Sequence, residues 1–563
     1  MSIFRLSILV AASALAPGAN PAAAQASHDH AQPAPLLTIS DWARGAQLFD
    51  GLGSFHRPVS TRSAEAQRYF DQGMRLIWAF NHDEATRSFA KAAELDPACA
   101  MCFWGFALTL GPNYNMPLMA EARARAGWDA IGKARAAAAT ASPVERALIE
   151  ALASRFTGPQ PLDPSNSAPR LTAYVAAMRE VARSFPGDLD VQTLFAEALM
   201  NTNPWKLWNA DGTPGPGTPE IVDTLKHVLA ADPAHPGANH YLIHAVEASP
   251  KPGDALRAAE TLRGMMPAAG HLEHMPSHIM QRVGRYADAA EANRLGAAAD
   301  LAYLRQTAPP DYYPMYLVHN YQFLAFAAAM EGRSAEAISA SRAARVAMPD
   351  AMLVSMPGYD WSIGYLYDAL VRFGHWGEML REPAPAAGLT GLTVSFHQSR
   401  AAAFAASGRV GEANRELAAS ATLMAAVPVD VAQGMNSAKA VYAVGQLKAA
   451  ARIAQASGDK RRAITLLQDA ASQEDQLAYN EPEDMFFPVR HLLGAALLDA
   501  GRAPEAEAVF REDLRRHPHN GWALTGLKAA LTAQGRSADA RAIEPQLREA
   551  WANAEGAITR AAF

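Results

Sequence analysis

Small and apolar residues recur along this chain at the spacing of short helices packed in pairs. The copy nearest the N-terminus consists of Gly73, Ala85, Phe89, Ala92 and Pro97. The clearest copy lies near the C-terminus and consists of Gly494, Leu497, Gly501, Ala506, Phe510 and Pro518. The next turn glycine, Gly535, follows Gly501 after 34 residues, and a helix-pair repeat of about 34 residues is a known architecture. The pattern therefore predicts an all-α chain built from repeated helix pairs.

The turn signature Gly-x4-Ala recurs through the rest of the chain. Its copies are Gly284/Ala289, Gly332/Ala337, Gly408/Ala413 and Gly458/Ala463, with a weaker copy centred on Gly374. The first two of these glycines are 48 residues apart, which exceeds the period of about 34 residues. We therefore expect inserted loops between some repeats.

The Gly/Ala–Ala–Phe–Ala–Pro skeleton resembles the tetratricopeptide-repeat superfamily, and the resemblance covers nearly everything after residue 63. It implies a right-handed α-solenoid of helix pairs with inserted loops and an extended concave surface. It also implies a binding scaffold, with a protein or peptide partner along the concave face. The stretches 80–85, 99–105 and 271–278 are similar to exported bacterial repeat proteins of unsettled function.

Composition limits the classes of partner. Half of the 563 residues are hydrophobic, 19% are charged, and the net charge is −6. Because a nucleic-acid-binding protein needs a basic surface, this balance argues against nucleic acid as the main partner. The chain is also longer than a single core can use, so several domains or a solenoid are expected.

The N-terminus has the pattern of a signal peptide. Arg5 precedes the apolar run 6–16, and small residues at 22–26 offer a cleavage site. We predict a signal peptide over 1–26 and an exported, periplasmic protein with no transmembrane segment after it. The predicted divisions that follow are an extended tail over 27–62, N-terminal repeats over 63–158, central repeats over 159–350 and C-terminal repeats over 351–563.

Histidines and glutamates occupy groove positions of the central repeats. The resemblance implies that the second, fifth, ninth and twelfth positions of the first helix in each repeat line the groove. Counting from Gly284, Ala255, Gly332 and Pro186 assigns histidines and glutamates to those positions. They are His271, His274 and His278 in one repeat, His240, His244 and Glu247 in the repeat before it, His319 in the repeat after it, and Glu197 further upstream. Stacked repeats bring such positions side by side.

Imidazole is a common ligand of first-row transition metals. We therefore predict that five histidines converge on one zinc or copper site, with Glu247 and His319 beside it; the five are His240, His244, His271, His274 and His278. Zinc–nitrogen bonds of about 2.0–2.1 Å require such ligands to converge closely. A polar network, a pocket for an organic ligand, or no special role are the alternatives.

Three functions follow from this pattern. The first is a binding scaffold whose groove holds a metal or a metal-dependent ligand. The second is a metal-dependent hydrolase or oxidase, with Glu247 or Glu197 as the general base. The third is a plain protein–protein interaction scaffold. The nucleotide-binding, esterase and zinc-protease motifs that would indicate other enzymes are absent from the sequence.

Cys99 and Cys102 are the only two cysteines, and they stand three residues apart after Pro97. Because export exposes thiols to an oxidising compartment, we predict a local disulfide. A soft-metal pair, a redox role and two inert thiols are the alternatives. No βαβ pattern surrounds the pair, which counts against a thioredoxin-type domain.

Overall fold

The computed structural model describes residues 37–162, 166–309 and 313–563. The predicted signal peptide and the first part of the predicted tail lie outside these residues. Within them the chain is helical apart from loops and one antiparallel pair of two-residue strands, β1 (Ala432–Gln433) and β2 (Asn436–Ser437). The predicted all-α class is confirmed.

The described chain divides into two compact units. The first comprises residues 37–49 and 55–204. Its helices are α1 (Ile39–Trp42), α2 (Ala64–Trp78), α3 (His82–Leu95), α4 (Ala100–Leu110), α5 (Glu121–Ala137), α6 (Pro143–Ala153), α7 (Ser167–Ser184) and α8 (Leu189–Met200), with a 3-10 helix over Ala138–Thr140. Sequentially adjacent helices from α2 to α8 pack on one another, which is the arrangement expected of helix-pair repeats.

The second unit comprises residues 50–54 and 205–563. The helices of its first half are α9 (Thr218–Ala231), α10 (Pro236–Val246), α11 (Leu256–Leu262), α12 (Gly270–His274), α13 (Pro276–Arg282), α14 (Tyr286–Gln306), α15 (Pro314–Met330), α16 (Ser334–Ala347), α17 (Asp350–Val354), α18 (Tyr365–Arg372) and α19 (Trp376–Arg381). Those of its second half are α20 (Thr390–Ala406), α21 (Val410–Ala426), α22 (Ala438–Ala456), α23 (Lys460–Glu474), α24 (Val489–Asp499), α25 (Ala503–Arg516), α26 (Gly521–Ala533), α27 (Ser537–Ala542) and α28 (Glu544–Ala550). Two 3-10 helices cover Pro252–Ala255 and Tyr359–Gly364.

Residues 55–62 of the predicted tail are irregular and are fixed by side-chain contacts within the first unit. The Arg57 guanidinium donates to the carboxylates of Asp188 and Asp190 at 2.8 and 2.7 Å. The Ser60 backbone N–H donates to Glu145 at 2.7 Å. Because Arg57 is buried, its charge-assisted hydrogen bonds hold this segment against the helices of the first unit.

The predicted turn signature corresponds to the turns between paired helices. The turn glycines have positive φ, between 73° and 81° at Gly284, Gly332, Gly374, Gly408, Gly458 and Gly501, a conformation that costs glycine little. The alanines five residues after the predicted glycines are fully buried, and they are Ala289, Ala337, Ala413, Ala463 and Ala506. Each such alanine lets the second helix of a pair approach the first closely.

A phenylalanine held between two glycines forms the core of the clearest repeats. Phe510 on α25 lies between Gly494 on α24 and Gly526 on α26, where an added Cβ would come within 2.3 and 2.2 Å of the ring. Phe89 occupies the same place between Gly73 and Gly105, with corresponding distances of 2.6 and 2.4 Å. Glycine is therefore required at these positions by close packing rather than by backbone conformation.

No helix in the part of the chain that the structure describes is long and apolar enough to cross a membrane.

We predict that Gly526→Ala lowers the free energy of unfolding by about 1–3 kcal/mol, because the new methyl group must displace the Phe510 ring from a filled core. Urea unfolding followed by circular dichroism measures the change. The matched control is Gly411→Ala on the exposed side of α21, where the nearest atom is the end of the Arg415 side chain at 3.9 Å. It should leave stability unchanged or raise it by up to about 1 kcal/mol. Equal effects of the two substitutions would contradict the packing described here.

Candidate metal centre

Helix α10 carries the first pair of site histidines. It begins at Pro236, and the His235 ring nitrogen Nδ1 accepts from the Ala238 N–H at 3.1 Å as a cap. All residues of α10 are buried, His240 and His244 included. Because Glu247 follows one turn after His244, its carboxylate lies beside that imidazole, with 2.8 Å between Oε1 and Nδ1.

The stretch predicted as one helical stripe is two short helices. His271 and His274 lie on α12, and His278 lies on α13. Pro276 has no N–H to continue the hydrogen-bond ladder, so the helix is interrupted there. Met275 between the two helices keeps helical dihedral angles, φ −52° and ψ −36°. The three histidines therefore remain on the same side of the chain despite the interruption.

Two glycines allow α12 to approach α14 closely. A Cβ on Gly270 would lie 2.1 Å from an oxygen of Asp300. A Cβ on Gly296 would lie 2.9 Å from the Gly270 carbonyl oxygen and 3.1 Å from Cβ of His274. A larger residue at either position would push α12, and the histidines on it, away from α14.

Helix α15 supplies the sixth imidazole, His319, and is tied to α14 through a buried carboxylate. Asp300 on α14 accepts from the Tyr313 hydroxyl at 2.9 Å and from the Asn320 side-chain amide at 2.8 Å. Asn320 is the neighbour of His319 in sequence, so these bonds fix the turn of α15 that carries His319. Burial raises the pKa of Asp300 to about 7, although the Tyr313 hydrogen bond opposes the rise.

The histidines form two groups, each able to supply three nitrogens to one metal ion. The first triad is His240, His244 and His271, and one ring nitrogen from each lies within 4.8 Å of the others. Nε2 of His240 and Nε2 of His271 face each other at 3.2 Å. A tetrahedral zinc ion with bonds of about 2.0–2.1 Å holds its ligand nitrogens roughly 3.3 Å apart, so this spacing suits a shared ion.

The second triad is His274, His278 and His319, whose ring nitrogens also lie within 4.8 Å of one another. Nε2 of His274 and Nε2 of His278 face each other at 2.6 Å. The other nitrogen of His274, Nδ1, lies 2.6 Å from the Asn293 side-chain oxygen. Since the Asn293 amide nitrogen donates to a backbone carbonyl, its oxygen faces His274, and Nδ1 of His274 is the donor. Nε2 of His274 then carries the lone pair.

Glu247 joins the two triads. One of its oxygens lies 2.8 Å from Nδ1 of His244 in the first triad, and the other forms a short contact with Nδ1 of His278 in the second. His244 therefore donates through Nδ1 to Glu247, which leaves its Nε2 with a lone pair, and His278 turns its Nδ1 toward the same carboxylate. Because both oxygens contact imidazoles, the geometry favours Glu247 as a positioning residue over the general base considered from the sequence.

A second carboxylate, Glu481, was not predicted. Its Oε2 lies 2.8 Å from Nδ1 of His278, and Glu481 forms a third group of potential ligands with Glu247 and His244. It belongs to the loop between α23 and α24. The one sequence signal for this loop is the interval of 43 residues between Gly458 and Gly501, which is longer than a repeat of about 34 residues.

The loop that carries Glu481 is held by contacts on both sides of that residue. The Tyr479 ring lies under the Arg282 guanidinium at 5.1 Å, and Arg282 also donates to the Glu247 carbonyl oxygen at 2.6 Å. Asp484 accepts from the Asn436 side chain at 2.7 Å, and Glu483 pairs with His517 at 3.0 Å. Glu481 is therefore placed by the folded loop rather than by a helix.

The electrostatics keep three of the six imidazoles neutral, the state that metal ligation requires. Burial, followed by the neighbouring imidazoles, holds the pKa of His271 and the pKa of His274 well below the usual value. Desolvation and the nearby His278 lower the pKa of His319 to about 3. His278 differs: burial acts to lower its pKa, but Glu481 and Glu247 outweigh burial and raise it to about 10.

An apolar ring closes one side of the second triad. The Phe323 ring centroid on α15 lies 4.9, 4.5 and 4.8 Å from those of His274, His278 and His319. Phe323 itself is buried. Such a wall excludes water and strengthens the electrostatic contacts beside it.

The structure divides the predicted single site into two groups of histidines, and the candidate Glu197 belongs to neither group. The predicted histidines do lie together, but as two triads, and His319 is a full member of the second triad rather than a residue beside the site. Glu197 belongs to the first unit, where its carboxylate accepts from the Asn201 amide at 2.5 Å. None of the three groups of potential ligands among the described residues includes Glu197.

Cys99 and Cys102 form a disulfide at the start of α4, with Cα atoms 5.4 Å apart. Both are fully buried. Neither belongs to a group of potential metal ligands in the described chain. Their oxidation in the native compartment stays a prediction.

No protein-family model matches the chain, and no curated protein sequence matches it. Among solved structures, a human IFIT1 dimer with m7Gppp-AAAA is 13% identical over 87% of this chain and 91% of that chain, with a TM-score of 0.30. The APC/C hetero-tetramer Cut9-Hcn1 is 13% identical over 87% and 78%, with a TM-score of 0.28. Yeast Tom70 is 11% identical over 86% and 99%, with a TM-score of 0.27. The chain resembles the tetratricopeptide-repeat superfamily in the helix pairs and turn glycines described above, and the fold assignment rests on those.

Asp300→Asn should flatten the pH dependence of stability. The carboxyl has an ordinary pKa of 3.8 and a folded pKa of about 7. Between these values the folded chain keeps a proton that the unfolded chain loses, so the native protein loses stability as pH rises from about 4 through 7. The variant has no such group, and its melting temperature should fall less than that of the parent between pH 5 and pH 8.

Thermal melts in the presence of a chelator measure this difference without a contribution from bound metal. Asp430→Asn, at an exposed position, is the control and should keep the pH profile of the parent. Identical profiles for Asp300→Asn and the parent would show that folding does not raise the pKa of Asp300.

Proposed function

We propose that this protein is an exported helix-pair scaffold that binds transition-metal ions, zinc or copper, through the histidines of its second unit. The observation that carries the proposal is the pair of triads, in which six imidazoles lie within ligand distance of one another in groups of three. Four of the six, His240, His244, His274 and His278, are at most 3% exposed. Removing so many imidazoles from water is costly unless their lone pairs find a partner.

The donor types support zinc or copper rather than magnesium or calcium. Neutral imidazole suits zinc and copper, whereas magnesium and calcium prefer oxygen ligands. Outside the imidazoles, Glu247 gives His244 the arrangement usual for ligating histidines, in which the second ring nitrogen donates to a carboxylate, and its other oxygen contacts Nδ1 of His278. Glu481 adds the same support to His278.

A metal-dependent enzyme is the second candidate function. Three imidazoles leave a fourth coordination position for water or substrate, which is the composition of a catalytic rather than a structural zinc site. The Tyr316 ring lies 5.3 Å from that of His271, so a phenol stands beside the first triad. Either hydrolytic chemistry on activated water or oxidative chemistry at copper would use such an open position.

Export and a protein or peptide partner are further parts of the proposal. Export rests on the signal-peptide pattern over residues 1–26. The partner rests on the repeat architecture, since helix-pair repeats commonly present extended binding surfaces.

We predict that the double variant His244→Ala/His278→Ala loses zinc and copper binding, because it removes one ligand from each triad. The loss of metal affinity should exceed the roughly 10–100-fold loss that follows removal of a hydrogen-bond partner of a ligating histidine. Isothermal titration calorimetry on protein purified without an affinity tag gives the affinity, and elemental analysis gives the metal content as isolated.

The matched control is His227→Ala/His375→Ala, two histidines of the same unit that belong to neither triad. His227 is exposed and His375 pairs with Glu378 at 2.7 Å. The control should bind metal as the parent does. If both double variants bind with parental affinity, the triads do not hold the metal and the proposal fails.

A further inference from the structure

We propose that the centre holds two metal ions, one in each triad, and that Glu247 is the positioning residue shared by both. This inference rests on the metal binding proposed above and extends it to the number of ions and to their coupling.

The division of ligands favours two ions. The first triad and the second triad have no histidine in common, and each satisfies the distance requirement for a shared ion by itself. A tetrahedral ion takes about four ligands, so one ion cannot use six imidazoles.

The closest nitrogen contacts repeat this division. Nε2 of His240 lies 3.2 Å from Nε2 of His271 within the first triad. Nε2 of His274 lies 2.6 Å from Nε2 of His278 within the second. Two ring nitrogens that face each other can share one hydrogen at most, whereas a metal ion accepts the lone pairs of both. Each triad thus contains its own convergent pair.

Glu247 couples the two ions through tautomers. Its two oxygens hold the Nδ1 atoms of His244 and His278, one from each triad. A metal ion that takes the Nε2 atoms of both rings leaves the hydrogen of each ring on Nδ1, where the shared carboxylate can accept it. Glu481 forms its ion pair with His278, so it supports the second triad and duplicates part of the role of Glu247 there.

Metal stoichiometry tests the inference. Full-length mature protein is stripped with a chelator, titrated with zinc alone, and the bound metal is measured per chain by elemental analysis after desalting. We expect two equivalents. One equivalent would overturn the two-ion inference and leave metal binding in place, whereas no bound zinc, and none with copper, would overturn both.

Variants in one triad should remove one ion each. His240→Ala/His271→Ala should bind one equivalent through the second triad, and His274→Ala/His319→Ala should bind one through the first. The equivalent that each variant retains shows that it is folded at the remaining triad. Loss of both equivalents in a variant whose helical circular dichroism and melting temperature match the parent would contradict separate sites.

The two carboxylates should give different results. Glu247→Gln removes the negative charge that both Nδ1 atoms contact, and the remaining amide has one accepting oxygen in place of two, so the hold on both rings is weakened. We expect this variant to weaken both binding steps, by about 10–100-fold. Glu481→Gln should weaken only one step, and less, because His278 keeps its contact with Glu247. If Glu247→Gln weakens one step alone, Glu247 does not couple the ions.

Discussion

The contact of the Glu247 carboxylate with two imidazoles is the interaction on which the histidine centre depends. It bridges His244, three residues away on the same helix, and His278 on α13. A buried carboxylate is costly without compensation, and here the two imidazoles hold the pKa of Glu247 below its usual value although burial acts to raise it. The carboxylate in turn faces the Nδ1 atoms of both rings. Charge and position are therefore determined together.

This contact is possible only because the helices that carry it approach closely. Gly270 and Gly296 leave no room for a side chain between α12 and α14, and Asp300 ties α14 to the turn of α15 that carries His319. Helices also approach one another closely near the C-terminus, where two glycines flank the ring of Phe510. A scaffold that packs through small residues thus brings ligands from three neighbouring helix pairs within reach of one another.

The sequence predicted the helix pairs and the neighbourhood of the histidines, because both follow from the repeat period. It could not predict the division into two triads, which depends on the break at Pro276 and on ring orientations that no periodicity specifies. Glu481 could not be assigned either, since it lies on a loop whose course is set by contacts such as Arg282 with Tyr479. The positioning role that the geometry of Glu247 favours could not be predicted, because it depends on where His278 lies.

X-ray absorption at the zinc edge of protein loaded to saturation tests the central claim most directly, because it reports the atoms bound to the metal. Imidazole ligands at about 2.0–2.1 Å, without sulfur, are the result expected from the two triads, and imidazole rings give a recognisable outer-shell scattering pattern. A spectrum of oxygen ligands alone, or one with zinc–sulfur bonds of about 2.3 Å, would contradict the account, because the metal would then be held elsewhere on the chain.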